Sequence, residues 1–327
     1  MSRIYEALQR AEAERRAEQT DPDGRVATST PEPLNGAAAA PFSAAVPLSS
    51  APSALPLRSS ISAVAVAEPE TEVEEVVPSA PPLWNSIRQC TWKVAVHRFP
   101  SLEQRGASVE QFRSLRSRVQ EFRAMNRLQS ILVSSGLPQE GKSYIAANLA
   151  LSLALHKNSK VLLVDGDMRR STLQDYFGCD SGPGLADYLA GKSELPAIMQ
   201  RASPDSTPAQ TIPLISNLVL IPGGNGGDKA ADLAGSSRFE EMLKRVSPYF
   251  DWIIVDSSPV LAVSDSVSMG RACDAVLLVA RSGVTTFPVA QRAQHELKAS
   301  NIIGFVLNGV KDPPTPDSYY TYDGPAR

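Results

Sequence analysis

An α/β fold, with a mainly parallel β-sheet flanked by helices on both faces, is what this sequence predicts, and three observations predict it. Short apolar runs rich in β-branched residues alternate with stretches of helical period. A G-x4-G-K-S pattern stands between one such run and the stretch that follows it. Two further runs end in aspartate, at the carboxyl edge where open α/β sheets bind their ligands.

Taken in chain order, residues 1–16 predict a short amphipathic helix. Ser2 is placed to cap it, and Ile4, Leu8 and Ala11 recur at helical spacing while Glu6, Arg10, Glu12, Arg15 and Arg16 face away. A lone helix of that length is marginal in water, so it either frays or docks on something. Residues 17–83 hold 11 of the 26 prolines among Ala, Ser, Thr and Glu. Such a segment buries too little apolar area to offset its ordering entropy and reads as a disordered Pro/Ala-rich tether. Residues 84–312 carry the alternation. Ser130–Val133, Val161–Val164, Leu218–Ile221, Trp252–Val255, Ala275–Ala280 and Ile302–Leu307 read as buried strands. Lys142–His156, Arg238–Ser247, Ser264–Arg271 and Pro288–Ser300 read as helices between them. Residues 313–327 form a tail whose prolines, Pro313, Pro314 and Pro316, stop the preceding structure.

Composition narrows the function classes. A net charge of −3, from 32 Lys+Arg against 35 Asp+Glu, argues against a nucleic-acid partner, which calls for a basic stripe. The three cysteines, Cys90, Cys179 and Cys273, lie too far apart for a CxxC site or a disulfide framework and fit a reducing compartment. The longest uncharged stretch, Leu34–Leu57, is broken by four prolines and predicts no membrane span. The first residues lack the apolar core of a signal peptide, so a cytoplasmic location is expected.

The chemistry concentrates at three strand ends. Gly136-Leu137-Pro138-Gln139-Glu140-Gly141-Lys142-Ser143 is a phosphate-loop pattern in its proper setting, after a strand and opening a helix. Backbone N–H groups from Gly136, Gln139, Glu140, Gly141 and the first helical residues to Tyr144 would surround phosphates. Lys142 would reach the β/γ oxygens, and the Ser143 hydroxyl would ligate Mg²⁺. Val161-Leu162-Leu163-Val164-Asp165-Gly166-Asp167 places two carboxylates at a strand end, one able to orient Mg²⁺ and the other to accept a proton. Which is the base is open from spacing alone. Trp252-Ile253-Ile254-Val255-Asp256 is a Walker B arrangement, whose acid holds Mg²⁺. Together these motifs predict a P-loop NTPase domain that binds a nucleotide with Mg²⁺.

The order of these motifs, with Arg169 after the paired acids and Pro259 after Asp256, resembles the bacterial tyrosine kinases of capsule and exopolysaccharide synthesis. Those kinases belong to the deviant-Walker branch that also holds the ParA/MinD partition ATPases. Glu110, Arg113 and Arg116 match the E-x2-R-x2-R segment that the family uses for ring-like self-association, on one helical stripe. Tyr319, Tyr320 and Tyr322 resemble its autophosphorylated tail cluster. The resemblance implies an ATP-dependent tyrosine autokinase, with Lys142, Asp165 and Asp167 catalytic, Ser143, Asp165 and Asp256 at the metal, and Asn308 contacting adenine. It also implies a transmembrane activator of the chain-length-regulator (Wzz-like) type, which would bring the protein to the inner face of the membrane. Two departures bear on loop conformation: Ser258 replaces the first proline of Asp-x-Pro-Pro, and Lys229–Ala234 stands where the family has Asn-Pro-x-Glu-Leu-Leu. A ParA/MinD-like switch ATPase is the other reading, but Leu137 occupies the position of that branch's second lysine. A scaffold that uses ATP only to assemble is a third reading, opposed by the intact Lys142, Ser143, Asp165, Asp167 and Asp256.

Overall fold

The computed structural model describes residues 83–103, 105–156 and 159–311. The amino-terminal helix, most of the expected tether and the tail with Tyr319, Tyr320 and Tyr322 lie outside the described residues. Eight strands form one sheet: β1 (Arg88–Cys90), β2 (Ser130–Ser135), β3 (Val161–Asp165), β4 (Gln200–Ala202), β5 (Leu218–Ile221), β6 (Trp252–Asp256), β7 (Ala275–Arg281) and β8 (Ile302–Asn308). Their spatial order is β1-β4-β5-β3-β6-β2-β7-β8. Every pairing is parallel except β4 with β5, so β1 and β4 run against the other six.

The six strands expected from apolar runs all form, most of them one or two residues longer than the apolar run itself. β2, β3, β5 and β6 are buried along their whole length, as strands covered on both faces must be. Among the helices that cover them are α1 (Ala107–Met125), α2 (Lys142–Ala154), α3 (Leu173–Phe177), α4 (Ser237–Val246), α5 (Asp265–Ala272) and α6 (Phe287–Glu296). Alternate strand residues divide between two cores. Ile131, Leu163 and Ile254 pack with α1 and α2 on one face; Leu132, Leu162 and Val255 pack with α4, α5 and α6 on the other. α2 is buried almost all round because it is caught between the sheet and α1.

This topology fixes two opposite edges. At the amino edge, Trp84 packs on Phe250 and sits under the cations of Lys160 and Arg201, at 5.0 and 5.4 Å from its ring. At the carboxyl edge, the ends of β2, β3 and β6 lie side by side, with Val133 beside Asp256 and Asp256 beside Asp165 in register. The three sequence-distant motifs therefore meet at one place. Among the described residues, no helix is long and apolar enough to cross a membrane.

Candidate active site

The loop from Gly136 to Gly141 leaves β2 and turns directly into α2. Gly141 adopts a left-handed backbone with φ +95°, and a Cβ there would lie 2.1 Å from Asn308 Nδ2, so only glycine fits. Gln139 is also left-handed, at φ +65°, which is costly for a residue with a side chain and bends the loop around the helix start. Gly166 solves a different problem. Its N–H donates to the Asp256 carbonyl at 2.8 Å, and a Cβ would stand 2.5 Å from that oxygen, so β3 and β6 approach this closely only with glycine between the two acids.

Lys142 is the hub. Its ammonium lies 3.1 Å from Asp167 Oδ2, 4.0 Å from Asp256 Oδ1 and 3.3 Å from Ser143 Oγ. Burial alone would lower its pKa, but the charges of Asp256 and Asp167 outweigh that and hold it above the ordinary lysine value. Asp165 and Asp256 are both fully buried. Burial, reinforced by the neighbouring Asp256 charge, pushes Asp165 up to about 7, against the pull of its hydrogen bonds. Burial likewise raises Asp256, with Lys142 pulling the other way.

The two acids differ in their partners. Asp165 Oδ1 accepts the Asp167 N–H at 3.1 Å. Its Oδ2 accepts the Ser171 hydroxyl and the N–H groups of Thr172 and Leu173, at 2.8, 2.9 and 3.0 Å. It thereby caps α3, whose first amides would otherwise lack partners. Asp256, by contrast, has both oxygens buried with no hydrogen bond of good geometry among the described residues, although the Ser143 hydroxyl and the Ser257 N–H lie close enough to favour its charge. An unmet buried carboxylate is costly in an apolar interior, and it faces the one direction from which Lys142 and Ser143 approach.

A cavity of about 590 Å³ opens in front of Lys142. Gln139, Gly141, Lys142, Ser143, Tyr144 and Asp167, all named by the motifs, line it. Asp165 and Asp256 lie beneath its floor, while Gly136, Glu140 and Asn308 stand behind the loop rather than on the cavity wall. Asn308 Nδ2 donates to the Glu140 carbonyl at 2.9 Å. The remaining wall carries Pro138 of the loop and Pro259 after the Walker B strand, together with residues that no motif flagged: Arg170, Thr172, Tyr176, Ala262 and Val263. Tyr176 carries the Arg98 guanidinium 4.7 Å from its ring centre, and Tyr144 meets Phe112 of α1 edge to face. Spacing could not find these residues, because loops from three strand ends bring them together.

Other flagged residues also have defined places. Arg169 lines the cavity rim and donates to Asp265, the first residue of α5, at 3.0 Å. Ser258 sits within hydrogen-bond reach of Ser266, and its carbonyl accepts from Ser134, so hydroxyls tie down the turn that lacks the family's first proline. On α1, Glu110 and Arg113 pair with each other at 2.5 Å, and Arg116 donates to the Ser152 carbonyl of α2 at 3.0 Å. Glu110 and Arg113 line a separate groove beside Phe122 and Met125, whereas Arg116 turns to α2 instead.

The AAA domain family matches residues 139–287. Tyrosine-protein kinase ptk of Acinetobacter johnsonii is 29% identical over 62% of this chain, which spans only 26% of that longer protein. Tyrosine-protein kinase YwqD of Bacillus subtilis is 31% identical over 64% of this chain and 84% of its own length. The kinase domain of the Escherichia coli tyrosine kinase ETK superposes with a TM-score of 0.56 at 30% identity, covering 63% of this chain and 78% of that one. With its motifs converging on one sheet edge and a relative of similar extent matched along most of its length, the chain belongs to the bacterial tyrosine-kinase family.

Proposed function

We propose that this chain is an ATP-dependent protein-tyrosine autokinase that acts on Tyr319, Tyr320 and Tyr322 in the tails of neighbouring protomers. One observation carries the reading: Lys142, at the head of a preformed phosphate loop, is held 3.1 Å from Asp167 on the wall of a cavity. ATP places its phosphates on the loop amides and the start of α2, where the helix dipole favours negative charge. Lys142 offsets the charge that builds on the transferred group.

Magnesium suits the donors present. It takes few protein ligands and relies on phosphate oxygens and water for the rest. Asp256, with its unmet oxygens, and the Ser143 hydroxyl would hold it, and when bound it neutralises charge on the phosphates. Asp165 was the third expected ligand; with its oxygens already accepting four bonds, we assign it to positioning the turn that carries Asp167.

The acceptor phenol has a pKa near 10, so it needs a base beside it at neutral pH. Asp167 is the strand-end acid that lines the cavity, and we assign it that role. The phenol oxygen bonds to the γ-phosphorus as the bond to the bridging β–γ oxygen breaks; the phenol proton passes to Asp167, and ADP departs. The self-association stripe of Glu110, Arg113 and Arg116, in a ring-like homo-oligomer, would bring a neighbour's tail to this cavity. A Wzz-like transmembrane activator would recruit the assembly to the membrane, where it regulates capsular or exopolysaccharide synthesis or export.

The test is incubation of purified protein with Mg-ATP, followed by phosphopeptide mass spectrometry, beside Lys142→Met and a truncation after Asp317. Phosphate on a tail tyrosine that disappears in Lys142→Met is the expected result. ATP hydrolysis without phosphotyrosine, even with a candidate activator added, would assign the chain to switch ATPases instead.

A further inference from the structure

Glu140 is the fourth variable residue of the phosphate loop, and its side chain does not face the cavity. It is 1% exposed, a rare state for a glutamate unless its oxygens are met. Two neutral donors meet them. The Leu137 N–H donates to Oε2 at 2.7 Å, and the Thr285 hydroxyl donates to Oε1. Thr285 lies between β7 and α6, 145 positions further along the chain. Its hydroxyl is aimed by the Arg281 N–H, which donates to Thr285 Oγ1 at 2.7 Å.

Two more bonds come from the same side. Arg281 Nη1 donates to the Gln139 carbonyl at 3.0 Å, and Asn308 Nδ2 donates to the Glu140 carbonyl at 2.9 Å. The loop is thus tied from behind at Gln139 and Glu140 to the ends of β7 and β8 and to the turn after β7, with Leu137 joined through the Glu140 side chain. An isolated loop of this kind has reason to relax. Amides gathered around a phosphate site repel one another when it is empty, and Gln139 is held left-handed at a cost of order 1 kcal/mol or more. The ties from β7 and β8 oppose both.

We propose that Glu140 and Thr285 are a positioning pair that presets the phosphate loop, turning the Leu137 N–H away from the nucleotide and fixing the remaining amides toward the cavity. This rests on the nucleotide-site reading above. Neither residue touches the reacting atoms. Their effect is to remove from the binding step the work of ordering the loop, so their loss is felt in nucleotide affinity and in KM more than in kcat.

The experiment titrates the full chain with a fluorescent N-methylanthraniloyl-ADP, alongside thermal melting and Mg-ATP steady-state kinetics. Thr285→Val removes the hydroxyl without changing shape. It is expected to weaken nucleotide binding about tenfold, the usual scale for one hydrogen bond to a charged group. Thr285→Ser, which keeps the hydroxyl, is expected to restore wild-type binding. Glu140→Gln keeps the shape and loses the charge, giving a smaller loss in the same direction and covering the case in which Thr285→Val does not fold. A purely structural role would lower the melting temperature of these variants and leave the affinity of the folded protein unchanged; that result overturns the proposal. Failure of wild-type protein to bind the probe would instead remove the nucleotide-site reading on which the proposal stands.

Discussion

Asp165 and Asp256 end neighbouring strands, stand opposite each other in register and are equally buried, yet they are built for different tasks. The end of β3 spends its carboxylate on structure. Four donors converge on Asp165, and the turn from Gly166 to Leu173 is folded around it. The end of β6 leaves its carboxylate unmet, within 4.0 Å of a lysine whose nearer partner is another acid. An acid whose lone pairs are filled shapes a site, whereas an acid whose lone pairs are open at a charged cavity is equipped to take a ligand. Motif reading treats both as strand-end acids; the hydrogen bonds distinguish them.

The sharpest way to break this contrast is Asp256→Asn. Phosphotransfer is expected to fall by on the order of 10²–10³-fold, the scale of one preorganised electrostatic group. The melting temperature, however, should stay near wild type, because Asp256 has no well-formed hydrogen bond to lose and Lys142 keeps its nearer partner, Asp167. Measuring both on one preparation decides the matter. A melting temperature several degrees below wild type would mean that Asp256 is a structural acid after all.

The opposite pattern is expected at Asp165. Asp165→Ala strands a hydroxyl and two amides at the start of α3, each worth about 1 kcal/mol or more when buried without a partner. A loss of about 3 kcal/mol corresponds to a fall in melting temperature on the order of 10 °C for a domain of this size. Ser171→Ala, which removes one of the four donors, is expected to show about a third of that loss. If Asp165→Ala melts with wild type, the turn stands without its acid, and the distinction between the two strand ends fails.

The sheet was legible because its inner strands are continuous apolar runs. Val161–Val164 and Leu218–Ile221 admit no other burial than on both faces, and the strands form there. β1 and β4 were missed for the converse reason. Arg88-Gln89-Cys90 and Gln200-Arg201-Ala202 are three-residue strands without an apolar run, held in place by pairing, β1 on β4 and β4 on β5. The site divides in the same way. The phosphate loop, the paired acids and the Walker B acid are local patterns and could be read, and the sheet brings them together. Tyr176, Arg170 and Thr285 are placed by tertiary structure and carry no local signature. The role of Glu140 was hidden for the same reason: in the sequence it is one loop residue among several, and only its contact with Thr285 shows that it faces backwards.

The smallest effect lies in the pH dependence of the nucleotide-free protein, and it probes what burial does to the filled acid. Asp165 is pushed up to about 7 in the fold, whereas an unfolded aspartate sits near 3.9. The folded chain therefore binds this proton more tightly than the unfolded chain does. The associated stability is fully present below pH 4 and is lost as pH rises through 7. Asp165 and its neighbour Asp256 are both raised by burial, so the informative window is pH 6 to 8, where the melting temperature is expected to fall by a few degrees. Asp165→Asn should flatten that slope. Asp256→Asn, which takes away the neighbouring charge that helps to raise Asp165, should move the slope to lower pH rather than abolish it. A wild-type profile already flat from pH 6 to 8 would mean that the four donors, rather than burial and the adjacent acid, set the charge of Asp165; β3 would then contribute a permanent anion to the floor of the cavity.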